Sequence, residues 1–89
     1  MRIETSYFAT LRNITGRARE EVNLDDGAKL RDLLEYLFHV HGDKFRNTLD
    51  LGNSHLILVN GRHHEILQGM ETILKEGDRV VFLPITMGG

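Results

Sequence analysis

One helical face of leucines is the sequence feature that most constrains the fold of this chain. Its members are Leu30, Leu33, Leu34 and Leu37. They follow the i, i+3, i+4, i+7 spacing of an amphipathic helix. The spacing predicts a helix over residues 29–41, and such a helix must bury its leucine face against another layer of secondary structure.

The sequence defines the end of this helix more clearly than its start. Gly42 follows the last turn and readily takes the positive φ that often ends a helix. No Ser or Thr precedes the first turn, so we expect Asp25, Asp26 or the loop backbone to cap its start.

Apolar and polar side chains alternate before the helix. The alternation predicts a first strand over residues 2–8, in which Phe8 points away from the core, and a second strand over residues 20–24. The intervening residues 9–19 include Gly16, a turn-forming residue, and are interpreted as a long hairpin loop.

A second hairpin is predicted after the helix. Residues 43–54 read as a connector with room for a short helical turn, and residues 56–59 as a short β-prone run. Asn60 and Gly61 suit the two positive φ values of a type I′ turn. The return strand is placed within residues 63–67.

A last strand over residues 79–83, stopped by Pro84, completes the order ββαβββ. Five strands and one main helix predict an α+β fold of the β-grasp (ubiquitin-like) type, a two-layer roll with a mixed sheet. The domain is placed at residues 1–84, and residues 85–89 are expected to form a flexible tail.

Alternation along the last strand predicts an apolar patch. Val80 and Phe82 point inward, so Val81 and Leu83 must point outward. If the first and last strands are neighbours, Phe8 joins Val81 and Leu83 on the open face of the sheet. The alternative is that the connector covers these side chains.

Composition excludes several functional classes. The 89 residues carry 11 Lys and Arg against 13 Asp and Glu, a balance that argues against a nucleic-acid or anionic membrane surface. The chain has no cysteine, so it offers no thiol nucleophile and no thiolate ligand. It has no apolar run long enough for a signal peptide or a membrane span, and we expect a cytoplasmic protein.

Catalysis by the chain alone is not expected. The conspicuous metal-ligand candidates are His39, His41, His63 and His64. Neighbours two apart on a helix, or adjacent on a strand, point in different directions, so no metal site is predicted. Neither Ser6 nor Ser54 stands in a recognisable nucleophile motif.

The final residues, Gly88 and Gly89, suit a different chemistry. A free carboxylate is a poor electrophile, but a carboxylate joined to AMP becomes an acyl donor for sulfur or amine nucleophiles. Two glycines leave no side chain near the acyl carbon, so the tail can enter a narrow slot in another enzyme.

Several short segments together resemble one protein family. They are Tyr7-Phe8-Ala9-Thr10-Leu11-Arg12 with Gly16, Val59-Asn60-Gly61, Glu76-Gly77-Asp78-Arg79-Val80, and Phe82-Leu83-Pro84 before Gly88-Gly89. In this combination the chain resembles the MoaD/ThiS sulfur carriers, most closely MoaD, the small subunit of molybdopterin synthase, and the archaeal SAMP ubiquitin-like modifiers.

The resemblance implies a β-grasp carrier that is not an enzyme by itself and binds no cofactor. A ubiquitin-activating-type (MoeB-like) enzyme would use ATP to adenylate the Gly89 carboxylate, and a sulfurtransferase system would convert it to a thiocarboxylate. The molybdopterin synthase large subunit (MoaE-like) would then receive the sulfur for the molybdenum or tungsten cofactor.

The resemblance also maps partner contacts onto Phe8, Leu83 and His63, and Val81 joins them through the alternation of its strand. His63 is a polar departure, since MoaD proteins often carry an apolar residue there. Ile85 departs from the frequent Pro-Pro pair and is expected to loosen the tail by one residue.

Two other functional classes remain open. A ubiquitin-like modifier would use the same activated tail but join Gly89 to lysines of target proteins. A plain β-grasp interaction module would use neither glycine.

Overall fold

A computed structural model describes residues 1–49 and 54–85 of the chain. The described strands are β1 (Arg2–Tyr7), β2 (Arg19–Asn23), β3 (His55–Val59), β4 (Arg62–His63) and β5 (Arg79–Pro84). The helices are α1 (Ala9–Thr15), α2 (Leu30–His41) and α3 (Asp43–Leu49), with two 3-10 turns at His64–Ile66 and Gly69–Glu71. None of the described helices is long and apolar enough to cross a membrane.

The strands form one mixed sheet in the order β2-β1-β5-β3-β4. β1 and β5 run parallel at its centre, while the other neighbours are antiparallel. The parallel central pair and the helix packed on one face confirm the predicted β-grasp architecture.

A single hydrophobic core lies between the sheet and the helices. Its buried members are Ile3, Tyr7, Leu11, Val22, Leu30, Leu33, Leu34, Leu37, Phe45, Ile57, Val59, Leu74, Val80 and Phe82. The four leucines of the helical spacing are all in this set, as predicted. Phe45 comes from α3, so the connector after α2 holds a helix that buries an aromatic ring.

Helix α2 is capped by a loop backbone, one of the predicted possibilities, together with a carboxylate that was not predicted. The backbone N–H of Leu30 donates to Thr72 O at 2.8 Å, and the backbone N–H of Lys29 donates to Asp32 Oδ2 at 2.8 Å. Gly42 follows α2 at φ 83°, the positive value that its position predicted.

The long hairpin loop predicted after β1 is wrong, because residues 9–15 form α1. This helix buries Leu11 and ends at Gly16, whose φ is 74° and whose N–H donates to Arg12 O at 2.9 Å. Its β-branched residues, Ile14 among them, weaken the local helical preference. Burial of Leu11 against the core therefore decides the conformation.

The predicted return strand over residues 63–67 is also too long. β4 spans only Arg62–His63, and the chain turns into a 3-10 helix at His64. The turn before it is as predicted, since Asn60 and Gly61 have φ values of 52° and 82°.

A polar cluster is buried at the end of the core, where β1, β2 and α2 meet. The Tyr7 hydroxyl donates to Glu20 Oε1 at 2.6 Å, and His41 Nε2 lies 2.8 Å from the same oxygen. The Thr5 hydroxyl donates to Tyr7 Oη at 2.9 Å. Burial raises the pKa of Tyr7, which keeps its hydroxyl protonated as a donor.

This cluster gives the fold a predicted acid sensitivity. Burial alone would raise the pKa of the Glu20 carboxyl, but hydrogen bonds from Tyr7 and His41 outweigh it and hold that pKa below its ordinary value. The contribution of Glu20 to the free energy of unfolding is therefore complete at neutral pH. It begins to decrease near pH 4.5, the ordinary pKa of the carboxyl group, and is lost as the pH falls through the lower pKa of the folded state.

We expect urea melts from pH 7 down to pH 3 to show a smaller loss of unfolding free energy in Glu20→Gln than in the unaltered protein. The exposed Glu21→Gln is the matched control, because Glu21 lies next along β2. If the free energy of unfolding fell equally with pH in Glu20→Gln and in the unaltered protein, protonation of Glu20 would not be the cause of the acid sensitivity.

Candidate functional site

The open face of the sheet carries an apolar patch in its central strands. Along β5, Val80 and Phe82 are buried under the helices, whereas Val81 and Leu83 are half-buried on the opposite side. The alternation predicted from the sequence is thus present in the structure.

Strand β3 enlarges the patch with two residues that sequence reasoning missed. Leu56 lies opposite Leu83 and Leu58 lies opposite Val81 in the antiparallel register. Both leucines are half-buried, while the next residue in β3, Val59, faces the core. The apolar run at 56–59 was a signal for them, but only the pairing of β3 with β5 shows where they lie.

Phe8 completes the patch from just beyond the end of β1. The predicted strand ended at Phe8, whereas β1 ends at Tyr7, which lies opposite Phe82. Phe8 is the next residue, in extended conformation with φ −133° and ψ 154°, and is 44% exposed. Continuing the register by one position places Phe8 beside Leu83. We call the five apolar residues Phe8, Leu56, Leu58, Val81 and Leu83 the open-face patch.

His63 borders the open-face patch on the edge strand β4, opposite Leu58. Its Nδ1 accepts the backbone N–H of Glu65 at 3.1 Å, and its ring stacks on His64 at a centroid distance of 4.9 Å. These contacts hold the ring at the margin of the patch.

Ser6 lies opposite Val81 in the parallel register of β1 and β5 and so borders the open-face patch, whereas His39 and His41 lie elsewhere. His39 is exposed at the end of α2, and His41 is tied to Glu20 in the core cluster. Within residues 1–49 and 54–85, no three His, Asp or Glu side chains are grouped as metal ligands would be. The Ser54 hydroxyl donates to Thr48 O at 3.2 Å.

The chain leaves the sheet next to the open-face patch. Pro84 lies opposite His55, and the backbone N–H of Ile85 donates to Ser54 O at 2.8 Å. The hydrogen bonding of β5 with β3 therefore continues one residue past Pro84, although Pro84 was predicted to end it. Gly88 and Gly89 lie outside the described residues.

The mixed sheet with parallel β1 and β5 and helices on one face defines the class of ubiquitin-like β-grasp domains. A sequence profile of the ThiS family matches residues 5–89. The chain belongs to this family.

Three relatives show the breadth of the family around this chain. Small archaeal modifier protein 3 of Haloferax volcanii is 33% identical over 92 residues, which cover 100% of both proteins. Small archaeal modifier protein 1 from Methanosarcina acetivorans shares 27% identity, with a TM-score of 0.75 over 99% of this chain and 96% of that one. A Pyrococcus furiosus protein with the provisional name molybdopterin converting factor, subunit 1, shares 29% identity, with a TM-score of 0.77 over 97% and 99%.

Family membership fixes the function at a coarse level. The chain is either a sulfur carrier of the ThiS/MoaD type or a small archaeal modifier, and not itself a catalyst. Carriers of this family bind no cofactor themselves, and they pair with activating enzymes that use ATP.

Proposed function

We propose that this protein is a sulfur carrier of the molybdopterin synthase small-subunit type, with the carboxylate of Gly89 as its working group. The observation that carries the proposal is the position of the open-face patch. Its residues Val81 and Leu83 belong to β5, the strand that leads directly to the final glycines. A partner that covers the patch therefore receives the tail at the edge of the same interface.

The chemistry needs two successive substitutions. A carboxylate oxygen of Gly89 attacks the α-phosphorus of ATP, and pyrophosphate leaves. A sulfur nucleophile then attacks the acyl carbon, and AMP leaves with the electron pair of the broken bond. With hydrosulfide as that nucleophile, the product loses its S–H proton and is a thiocarboxylate, the group that the large, MoaE-like subunit would use to build the dithiolene.

The open-face patch would bind the activating enzyme and the large subunit in turn. A few well-packed side chains contribute most of the binding energy of an interface. We expect Leu83 to be one of them, because it lies between Leu56 and Phe8 at the end of the patch nearest the tail.

Leu83→Asp is expected to weaken binding to the activating enzyme by about 30-fold or more, the effect of losing a residue worth about 2 kcal/mol in an interface. Its melting temperature should stay close to that of the unaltered protein, because Leu83 is only half-buried. Asn23→Asp is the control, since it adds the same charge at an exposed position on the edge strand β2. Collapse of the fold in Leu83→Asp alone would place Leu83 in the core.

A second function is favoured by two of the relatives. The modifier proteins from Haloferax volcanii and Methanosarcina acetivorans match 100% and 99% of this chain, respectively. In this alternative the ε-amino group of a target lysine attacks the Gly89 acyl-adenylate, and AMP leaves as an isopeptide bond forms. Both functions begin with adenylation of the Gly89 carboxylate. They differ only in the nucleophile that then attacks the acyl-adenylate, sulfur in the carrier and a lysine amine in the modifier.

Mass spectrometry of the protein from its own cells distinguishes the acceptors. A tag at the N-terminus leaves Gly89 free, and a chain lacking Gly89 serves as the control. The sulfur carrier predicts an intact mass increased by exchange of one oxygen for sulfur. The modifier predicts peptides from other proteins with the Gly89 carboxyl joined to lysine, and their presence without the thiocarboxylate would replace the first proposal with the second.

A further inference from the structure

The last hydrogen bond before the tail is formed by the backbone of Ile85. Pro84 has no N–H, so it cannot donate to the neighbouring strand. Ile85 does donate, to Ser54 O at 2.8 Å. Ile85 was expected to loosen the tail by replacing a proline, yet its N–H ties the chain to the residue that precedes β3.

Ser54 is itself fastened to the end of α3. Its hydroxyl donates to Thr48 O at 3.2 Å, and its Oγ lies 2.9 Å from His55 Nδ1. A serine hydroxyl has one hydrogen, so when Thr48 receives it the hydrogen toward His55 must come from Nδ1. Burial lowers the pKa of His55, and the neutral tautomer with its hydrogen on Nδ1 can supply this donor.

We infer that Ser54 is a positioning residue that sets the point and direction at which the reactive tail leaves the domain. Its side chain holds Ser54 against α3, and its carbonyl oxygen holds Ile85. This role deepens the proposed function and rests on it, because direction matters only if Gly89 must reach a partner's active site.

The Ile85–Ser54 hydrogen bond moves the last described contact with the sheet one residue closer to Gly89 in the sequence. Four residues span at most about 14 Å, whereas the five that follow Pro84 would span about 18 Å. A shorter segment has fewer conformations to lose when its end enters a narrow site. The Ile85–Ser54 hydrogen bond thus restricts the tail in the way that the ring of a second proline would.

The test measures KM and kcat for adenylation by the cognate activating enzyme with Ser54→Ala. We expect KM to rise about 5-fold, the effect of freeing one residue's backbone, with kcat unchanged. Thr15→Ala is the matched control, because Thr15 also donates to backbone carbonyls but lies on α1. Adding Ile85→Pro to Ser54→Ala should restore KM, because the ring restricts the chain without the help of Ser54.

Amide hydrogen exchange of Ile85, followed by NMR, separates this inference from the proposed function. Ser54→Ala should accelerate exchange at Ile85, while Thr15→Ala should leave it unchanged. If the unaltered protein is not adenylated, the proposed function fails, yet the exchange result still decides whether Ser54 holds Ile85. An unchanged exchange rate in Ser54→Ala, an unchanged KM, or a double variant that is not rescued would each overturn the positioning role.

Discussion

Deletion of Gly89 is expected to reduce adenylation by about 100-fold or more, because misplacement by as little as 1 Å can cost that much in an acyl transfer. The variant still ends in a carboxylate, that of Gly88, but its tail is shorter by about 3.5 Å. The described fold ends at Ile85, so we expect folding to be unaffected. The measurement is ATP-dependent acyl-adenylate formation with the purified activating enzyme, with circular dichroism to verify the fold.

Two further variants sharpen this test. Gly89→Ala keeps the length of the tail but adds a methyl group beside the acyl carbon, and we expect it to be impaired as well. Met87→Ala keeps both glycines and should react normally. Full activity in the folded protein lacking Gly89 would refute the carrier and modifier functions together and leave only an interaction module.

The second large effect is on stability and concerns the inward side of β5. Phe82→Ala should lower the free energy of unfolding by about 3–5 kcal/mol, since it removes a fully buried ring and leaves a cavity. The Phe82 ring stacks on Tyr7 at a centroid distance of 5.9 Å and meets Phe45 edge-on at 6.0 Å. Urea denaturation of the purified variant measures this loss.

Leu83→Ala is the matched control, because it truncates the adjacent side chain of the same strand on the opposite face. It should cost less than half as much, since Leu83 is only half-buried. Equal losses for Phe82→Ala and Leu83→Ala would mean that β5 does not separate a core face from an open face.

The sequence predicted the parts of the fold that depend on strong local patterns. The leucine spacing located α2, and Asn60 with Gly61 located the turn between β3 and β4. In each case the local preference and the tertiary fold require the same conformation. Such agreement is what makes an element readable from the sequence.

The sequence could not predict elements that form because of distant contacts. Helix α1 has weak local preference and exists because Leu11 reaches the core, and α3 exists because Phe45 packs among Tyr7, Phe38 and Phe82. The strands that pair with β5 are likewise determined by contacts between residues that are far apart in the sequence. Leu56 and Leu58 could therefore not be assigned to the open face before the order of the strands was known.

The central position of β5 has a consequence for the folding of the protein during translation. A sheet ordered β2-β1-β5-β3-β4 has no continuous middle until its last strand is inserted. During translation β5 is the last of the described strands to leave the ribosome, so β1 and β3 lack their shared neighbour until residues 79–84 have been synthesised. A chain interrupted before residue 79 exposes two unpaired strand edges, which attract chaperones and proteases. A chain with a completed sheet has therefore been translated at least through residue 84, the end of β5.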